Sequence, residues 1–219
     1  REVLSIDPNH AATLGALDRI VHGDVEPMAA AEVLEPFYEQ LAEWEKLIDL
    51  YQVMVSHTVD PAAQIERLHM IAGIQERHMQ NLDAAFASYA AAMEIDPQNE
   101  TTIGQLGRIA DATGDWERVA GLMASEAEKI LDPQLKAAML KRVAVIRLEK
   151  LQDVEKAVAR YQEIVDDNPE DADAIGALDH IFTRLERWSE LVEVLRRQIS
   201  VTGDEMQSVE LQFRVGQIC

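Results

Sequence analysis

The sequence predicts an all-α fold of stacked antiparallel helical hairpins, and three observations predict it. Tryptophan recurs at 44, 116 and 188, the same interval of 72 residues twice over. The residues around each tryptophan recur with it. Between short punctuated turns, apolar residues follow the helical period and never alternate with period two. A fixed interval in this range marks units that stack on their neighbours instead of closing around one core.

The copies align residue by residue. Trp44-Glu45-Lys46-Leu47 matches Trp116-Glu117-Arg118-Val119 and Trp188-Ser189-Glu190-Leu191. Asp60-Pro61 matches Asp132-Pro133 and Asp204-Glu205. Ala85 and Tyr89 match Ala157 and Tyr161, and Asp96-Pro97 matches Asn168-Pro169. Ile103-Gly104-x-Leu106 matches Ile175-Gly176-x-Leu178, and Leu14-Gly15-x-Leu17 is a further copy after Asp7-Pro8. Leu135, Met139, Val143 and Ile146 form one apolar helical stripe; Val154, Ala157, Val158, Tyr161 and Ile164 form another. Asp or Asn before Pro supplies an N-cap and a residue with a helix-compatible φ. Gly114-Asp115 supplies the tight turn before Trp116. With loops this short, consecutive helices pack antiparallel, two hairpins to each 72-residue block. Trp44, Trp116 and Trp188 each open a helix and are expected to be largely buried between hairpins.

One segment breaks the period. The Pro8-to-Trp44 interval exceeds the Pro97-to-Trp116 interval, and the excess falls at about residues 23–39. Met28 to Leu34 favours a helix, read here as an extra helix accepted within a loop or as a place where the array turns or a partner docks. Pro36 is expected to kink or interrupt it.

The chain resembles the tetratricopeptide repeat. The stretch from Glu66 to Asn99 has about the family's 34-residue length. Ala72 and Gly73 lie where its two helices meet; Ala85, Tyr89, Ala92 and Pro97 occupy second-helix positions, with Tyr161 and Pro169 equivalent in the next block. Gly114-Asp115-Trp116 matches the family's inter-helix turn. His69 and Glu76 stand where aromatics are usual, and Ile164 replaces the small residue seen at Ala92, so the repeat is degenerate. The resemblance implies a right-handed superhelical solenoid running through residues 1–219. In that register Arg1 falls within a second helix and Cys219 within a first helix, and the chain reads as a piece of a longer array.

The resemblance also implies that the first helix of each hairpin lines a concave groove. Its groove positions fall on Arg67, Met70, Ile74, Arg77 and His78, then on Arg108 with Gly104 and Asp111. They continue on Arg142, Ile146 and Lys150 with Met139 and Glu149, and on His180 and Arg184 with Asp173 and Gly176. Arg19 and Arg214 take equivalent places near the ends. Cations outnumber acids in this set, although the whole chain carries a formal charge of −20. Arginine forks suit carboxylate-bearing peptides, and the apolar members suit peptide side chains.

Chemistry is not legible in the sequence. The six histidines are scattered, and His69 and His78 lack the spacing that places two ligands on one helix face. Glu66-x-x-His69 is a lone pair without facing helices to complete a metal site. There is no phosphate-binding glycine loop and no nucleophile motif, and Cys219 is a poor nucleophile candidate. The expectation is a non-enzymatic chain without cofactor or metal. The negative charge disfavours nucleic acid and anionic membrane surfaces, and no apolar run is long enough for direct membrane insertion. The favoured function is a scaffold binding a protein or peptide, with an acidic or C-terminal segment suiting the groove. A self-assembling or spacer module and the regulatory arm of a larger enzyme also fit. Partner identity, compartment and oligomeric state are not encoded in any readable motif.

Overall fold

The computed structural model describes residues 2–23 and 25–218, and for Ser5 the backbone alone. The expectations attached to Arg1 and Cys219 lie outside the described residues. Among those described there are thirteen α-helices and no strand. They divide into two units, residues 1–113 and 114–219.

The first unit contains α1 (Glu2–Ile6), α2 (Ala11–Val21), α3 (Pro27–Gln40), α4 (Trp44–His57), α5 (Pro61–Arg77), α6 (Leu82–Ile95) and α7 (Glu100–Thr113). From α2 onward each helix packs on the next. The second unit contains α8 (Trp116–Lys129), α9 (Pro133–Glu149), α10 (Val154–Asp167), α11 (Ala172–Arg184), α12 (Trp188–Val201) and α13 (Glu205–Ile218), again each on the next. Loops of a few residues force antiparallel neighbours, so both units are stacks of helical hairpins.

The caps explain the boundaries. Asp60 and Asp132 accept hydrogen bonds from the first backbone amides of α5 and α9, with Pro at the first helical position. These are the donors a helix start leaves unsatisfied. Asn81, Asp115, Asp153 and Asp171 do the same for α6, α8, α10 and α11. The other Asx-Pro pairs act differently from expectation. Asp96 and Asn168 end α6 and α10, and their side chains accept from Gln98 N and Glu170 N two residues on. They build a turn, and the true caps lie three residues later at Asn99 and Asp171.

Backbone handedness also repeats. Ala42, Gly114 and Glu186, each two residues before a tryptophan, have φ of 55°, 76° and 56°. Only glycine adopts this region without a Cβ penalty.

The core of the first unit centres on Leu34, Tyr38, Leu47, Leu50, Tyr51, Met54 and Ile71. Two of these, Leu34 and Tyr38, come from α3. Its Tyr38 hydroxyl donates to Asp18 of α2 at 3.1 Å. Its Glu35 accepts from Tyr51 of α4 at 2.9 Å and from Arg67 of α5 at 3.1 Å. Helix α3 runs through Pro36 to Gln40 without the expected interruption. Proline removes one backbone hydrogen bond and crowds the preceding turn. Burial of Leu34 and Tyr38 on either side of it, at roughly 1.5–3 kcal/mol for a large apolar side chain, is sufficient to offset that.

In the second unit the core is built from Met139, Leu140, Val143 and Ala144 of α9, Ala157, Val158, Tyr161 and Ile164 of α10, and Leu178 and Phe182 of α11. Leu135, assigned by periodicity to the buried stripe, is exposed in the first turn of α9.

The tryptophans do open α4, α8 and α12, but they are not core residues. Trp44 and Trp116 are half-buried and Trp188 is 45% exposed. Each stands at the first helical position, at the rim of its hairpin, where only one face of a ring finds neighbours. The buried role passes to Leu47, Val119 and Leu191, three residues on.

Candidate functional site

The first helices of successive hairpins are joined by ion pairs. In the first unit Arg108 of α7 grips Glu76 of α5 through two hydrogen bonds, at 2.6 and 2.5 Å. Arg67 of α5 pairs with Glu35 of α3 at 3.1 Å. In the second unit Lys141 of α9 contacts Asp171 and Asp173 at 2.8 Å each. There Arg214 of α13 grips Asp179 of α11 with both guanidinium nitrogens. The Arg108 guanidinium holds the Glu76 carboxyl below its ordinary range. It donates fork to fork, the strongest geometry such a pair has.

These pairs engage two of the cations expected to line a groove. Arg67 and Arg108 are committed to acids of the same chain, because neighbouring first helices place an acid and a base about one repeat apart. Arg142 is exposed but engaged in an interaction of its own within the chain. Arg77 folds back, donating from Nε to the Gly73 carbonyl at 3.2 Å, with its guanidinium over that glycine. Ile74 and Met139 are buried in their cores and offer nothing to a ligand, and Met70 is half-buried against the first unit's core. Ile146 is half-buried. His78 and Lys150 cover tryptophans: His78 stacks on Trp44, and Lys150 Nζ lies 4.5 Å from the Trp116 ring centre.

His69 is half-buried. It lies between α5 and α7, its Nε2 2.8 Å from Thr102 Oγ1 and its ring edge-on to Tyr89. The buried Thr102 hydroxyl donates to Asn99, which leaves its lone pair to accept from His69 Nε2–H. Burial lowers the histidine's pKa and keeps it neutral. No group of side chains among the described residues is arranged to hold a metal ion.

Two features of the predicted groove remain open. Gly104 of α7 and Gly176 of α11 are exposed, and a Cβ added at either would meet no atom within 4 Å. His180 and Arg184 of α11 are exposed and, among the described residues, have no hydrogen-bond or ion-pair partner for their side chains. They border a cleft of about 720 Å³ in the second unit. The pairing of Glu35, Glu76 and Asp179 with their arginines was missed in the sequence. Its signal was present, as an acid and a base separated by about one repeat on first helices.

This architecture defines a class: a protein of stacked helical hairpins. Residues 174–207, spanning α11, α12 and the start of α13, match the tetratricopeptide repeat family. That segment is similar to a tetratricopeptide repeat. Among solved structures it is similar to MamA, at 12% identity and a TM-score of 0.38, over 82% of this chain and 95% of that one. It is also similar to the C-terminal part of a TPR repeat-containing protein from Cytophaga hutchinsonii, at 12% identity and a TM-score of 0.34, over 99% and 93%. The TPR domain of P58(IPK) is similar at 12% identity and a TM-score of 0.38, over 99% of this chain and 64% of that one. No curated protein matches it significantly in sequence. No described helix is long and apolar enough to cross a membrane.

Proposed function

We propose that this chain is a non-enzymatic scaffold that binds an extended peptide segment of a partner protein along its first helices, with α3 an insertion in the array. The observation that carries this reading is the pair of glycines at equivalent places in α7 and α11. A glycine inside a helix costs roughly 0.5–1 kcal/mol relative to alanine. Neither Gly104 nor Gly176 has a neighbour that a methyl group would strike, so internal packing gives no reason for them. A backbone approaching from outside does, because only glycine admits close approach.

A phage-displayed peptide library panned on the chain tests this. Recovered peptides are then titrated calorimetrically against the wild type and against Gly104→Ala and Gly176→Ala. The reading expects peptides whose affinity falls in at least one alanine variant while both variants melt at higher temperature. Failure to recover any peptide, or equal affinity across all three proteins, overturns it.

A second reading, self-association, has its own observation. Met206, Val209 and Phe213 form a stripe on α13 and are 75%, 63% and 67% exposed. Sedimentation that shows oligomers for the wild type and monomers for Phe213→Asp would favour it.

A further inference from the structure

An open cleft of about 520 Å³ lies between α10 and α12, the second helices of their hairpins. Both are packed antiparallel on α11, so they run parallel to each other. Val165 of α10, Leu178 of α11 and Val194 of α12 form its apolar floor. The charges on its rim divide into two sets. Asp166 of α10 pairs with Arg197 of α12, and Glu190 accepts from Arg187 at 2.8 Å. Glu193 and Arg196 border the same cleft, are exposed and, among the described residues, have no hydrogen-bond or ion-pair partner for their side chains. They stand three residues apart, about one turn along one face of α12. A free carboxylate followed by a free guanidinium, beside an apolar furrow between two helices, is a charge pattern with a direction.

We propose that this cleft docks an amphipathic helix of a partner protein, laid antiparallel to α12, with a glutamate against Arg196 and a lysine four residues later against Glu193. Its apolar stripe rests on Val165, Leu178 and Val194. A furrow between two helices is a surface on which a third helix packs by its side-chain ridges. Laid antiparallel, the occupant meets Arg196 with its earlier residue and Glu193 with its later one, so it needs an acid first and a base one turn on. That order also stabilises the occupant itself, because glutamate four residues before lysine is the favoured arrangement in a helix. The macrodipoles of α10 and α12 point the same way, and an antiparallel occupant opposes both. The surface belongs to the second helices and does not involve Gly104 or Gly176. The inference is therefore independent of the peptide-binding reading.

The test uses the full chain and an N-terminally labelled peptide of about 18 residues, long enough for a marginal helix in water, read by fluorescence anisotropy. It carries leucines at helical spacing on one face, flanked by two Glu-x-x-x-Lys pairs. A second peptide has every Glu and Lys exchanged and keeps the leucine face. The wild type binds the first about tenfold more tightly than the second, a difference of roughly 1.4 kcal/mol. The charge-dependent part of that difference shrinks in 1 M salt, where the Debye length is about 3 Å. The double variant Glu193→Lys with Arg196→Glu inverts the preference. Because the exchanged peptide is also the weaker helix on its own, this inversion is the decisive result. Both substituted side chains are exposed, and helical circular dichroism confirms that the variant folds. Equal affinity of the wild type for the two peptides, a wild-type preference for the exchanged peptide, a preference that the double variant does not invert, or no binding at about 1 mM overturns the proposal.

Discussion

His78 lies flat on Trp44, with ring centres 3.7 Å apart and planes 11° from parallel. Lys150 takes the same place over Trp116, 4.5 Å from the ring centre. His78 and Lys150 are the C-caps of α5 and α9, the two 17-residue helices. The residue that ends each long helix thus covers the tryptophan that opens the helix before it. Trp188, which opens α12, is 45% exposed.

His78→Ala should therefore cost about 1 kcal/mol, the worth of a stacked aromatic contact, and Lys150→Ala about 0.5–1 kcal/mol. In proteins retaining only Trp44, the emission maximum should shift to the red when His78 is removed. Trp188→Ala should cost less than Trp44→Ala in urea unfolding. An equal loss at the two sites would show that the covering residue contributes nothing.

The left-handed turn residues give a prediction of opposite sign. Ala42→Gly and Glu186→Gly should each raise stability by about 1 kcal/mol, because a Cβ is disfavoured by roughly 1–2 kcal/mol at that φ. Gly114→Ala should lower it by a similar amount. Thermal melts of the three variants decide, and a destabilised Ala42→Gly protein would contradict the argument.

Two histidines should make stability depend on pH in opposite senses. His22 donates toward the Asp18 carbonyl at 2.9 Å and toward Asp49 at 2.7 Å, and the backbone bond to Asp18 is the main cause raising its pKa above 6.5. Its contribution is complete below pH 6.5 and is lost as pH rises through the raised value. His69 is held below 6.5 by burial. The unfolded chain takes up that proton first, so stability falls as pH drops below 6.5 toward the lowered value. Hence His22→Gln should be more costly at pH 5 than at pH 8, and His69→Gln more costly at pH 8 than at pH 5. Denaturant melts at the two pH values check both signs.

The Arg108–Glu76 pair should couple by about 0.5–1 kcal/mol in a double-mutant cycle, since both side chains are partly exposed. The coupling should shrink in 1 M salt, where the Debye length is about 3 Å. A coupling of zero at low salt would mean that the pair does not stabilise the α5–α7 contact.

The sequence by itself determined the local structure of this protein. Period-3.6 apolar spacing, Asx caps such as Asp60 and Asp132, and the recurring tryptophans are local signals, and each corresponds to a helix or its boundary. Helix α3 was legible as a helix for the same reason. Its place in the core was not, because Pro36 argues locally against a helix and only the contacts of Leu34, Tyr38 and Glu35 outweigh it. The exposure of Trp188 was also illegible, because burial depends on what covers a position. The groove shows the division most clearly. Spacing could place Arg67, Arg108 and Arg184 at equivalent positions, but charge compensation acts across neighbouring helices. Only the tertiary structure decided that Glu35 and Glu76 claim the first two and leave Arg184 beside an open cleft.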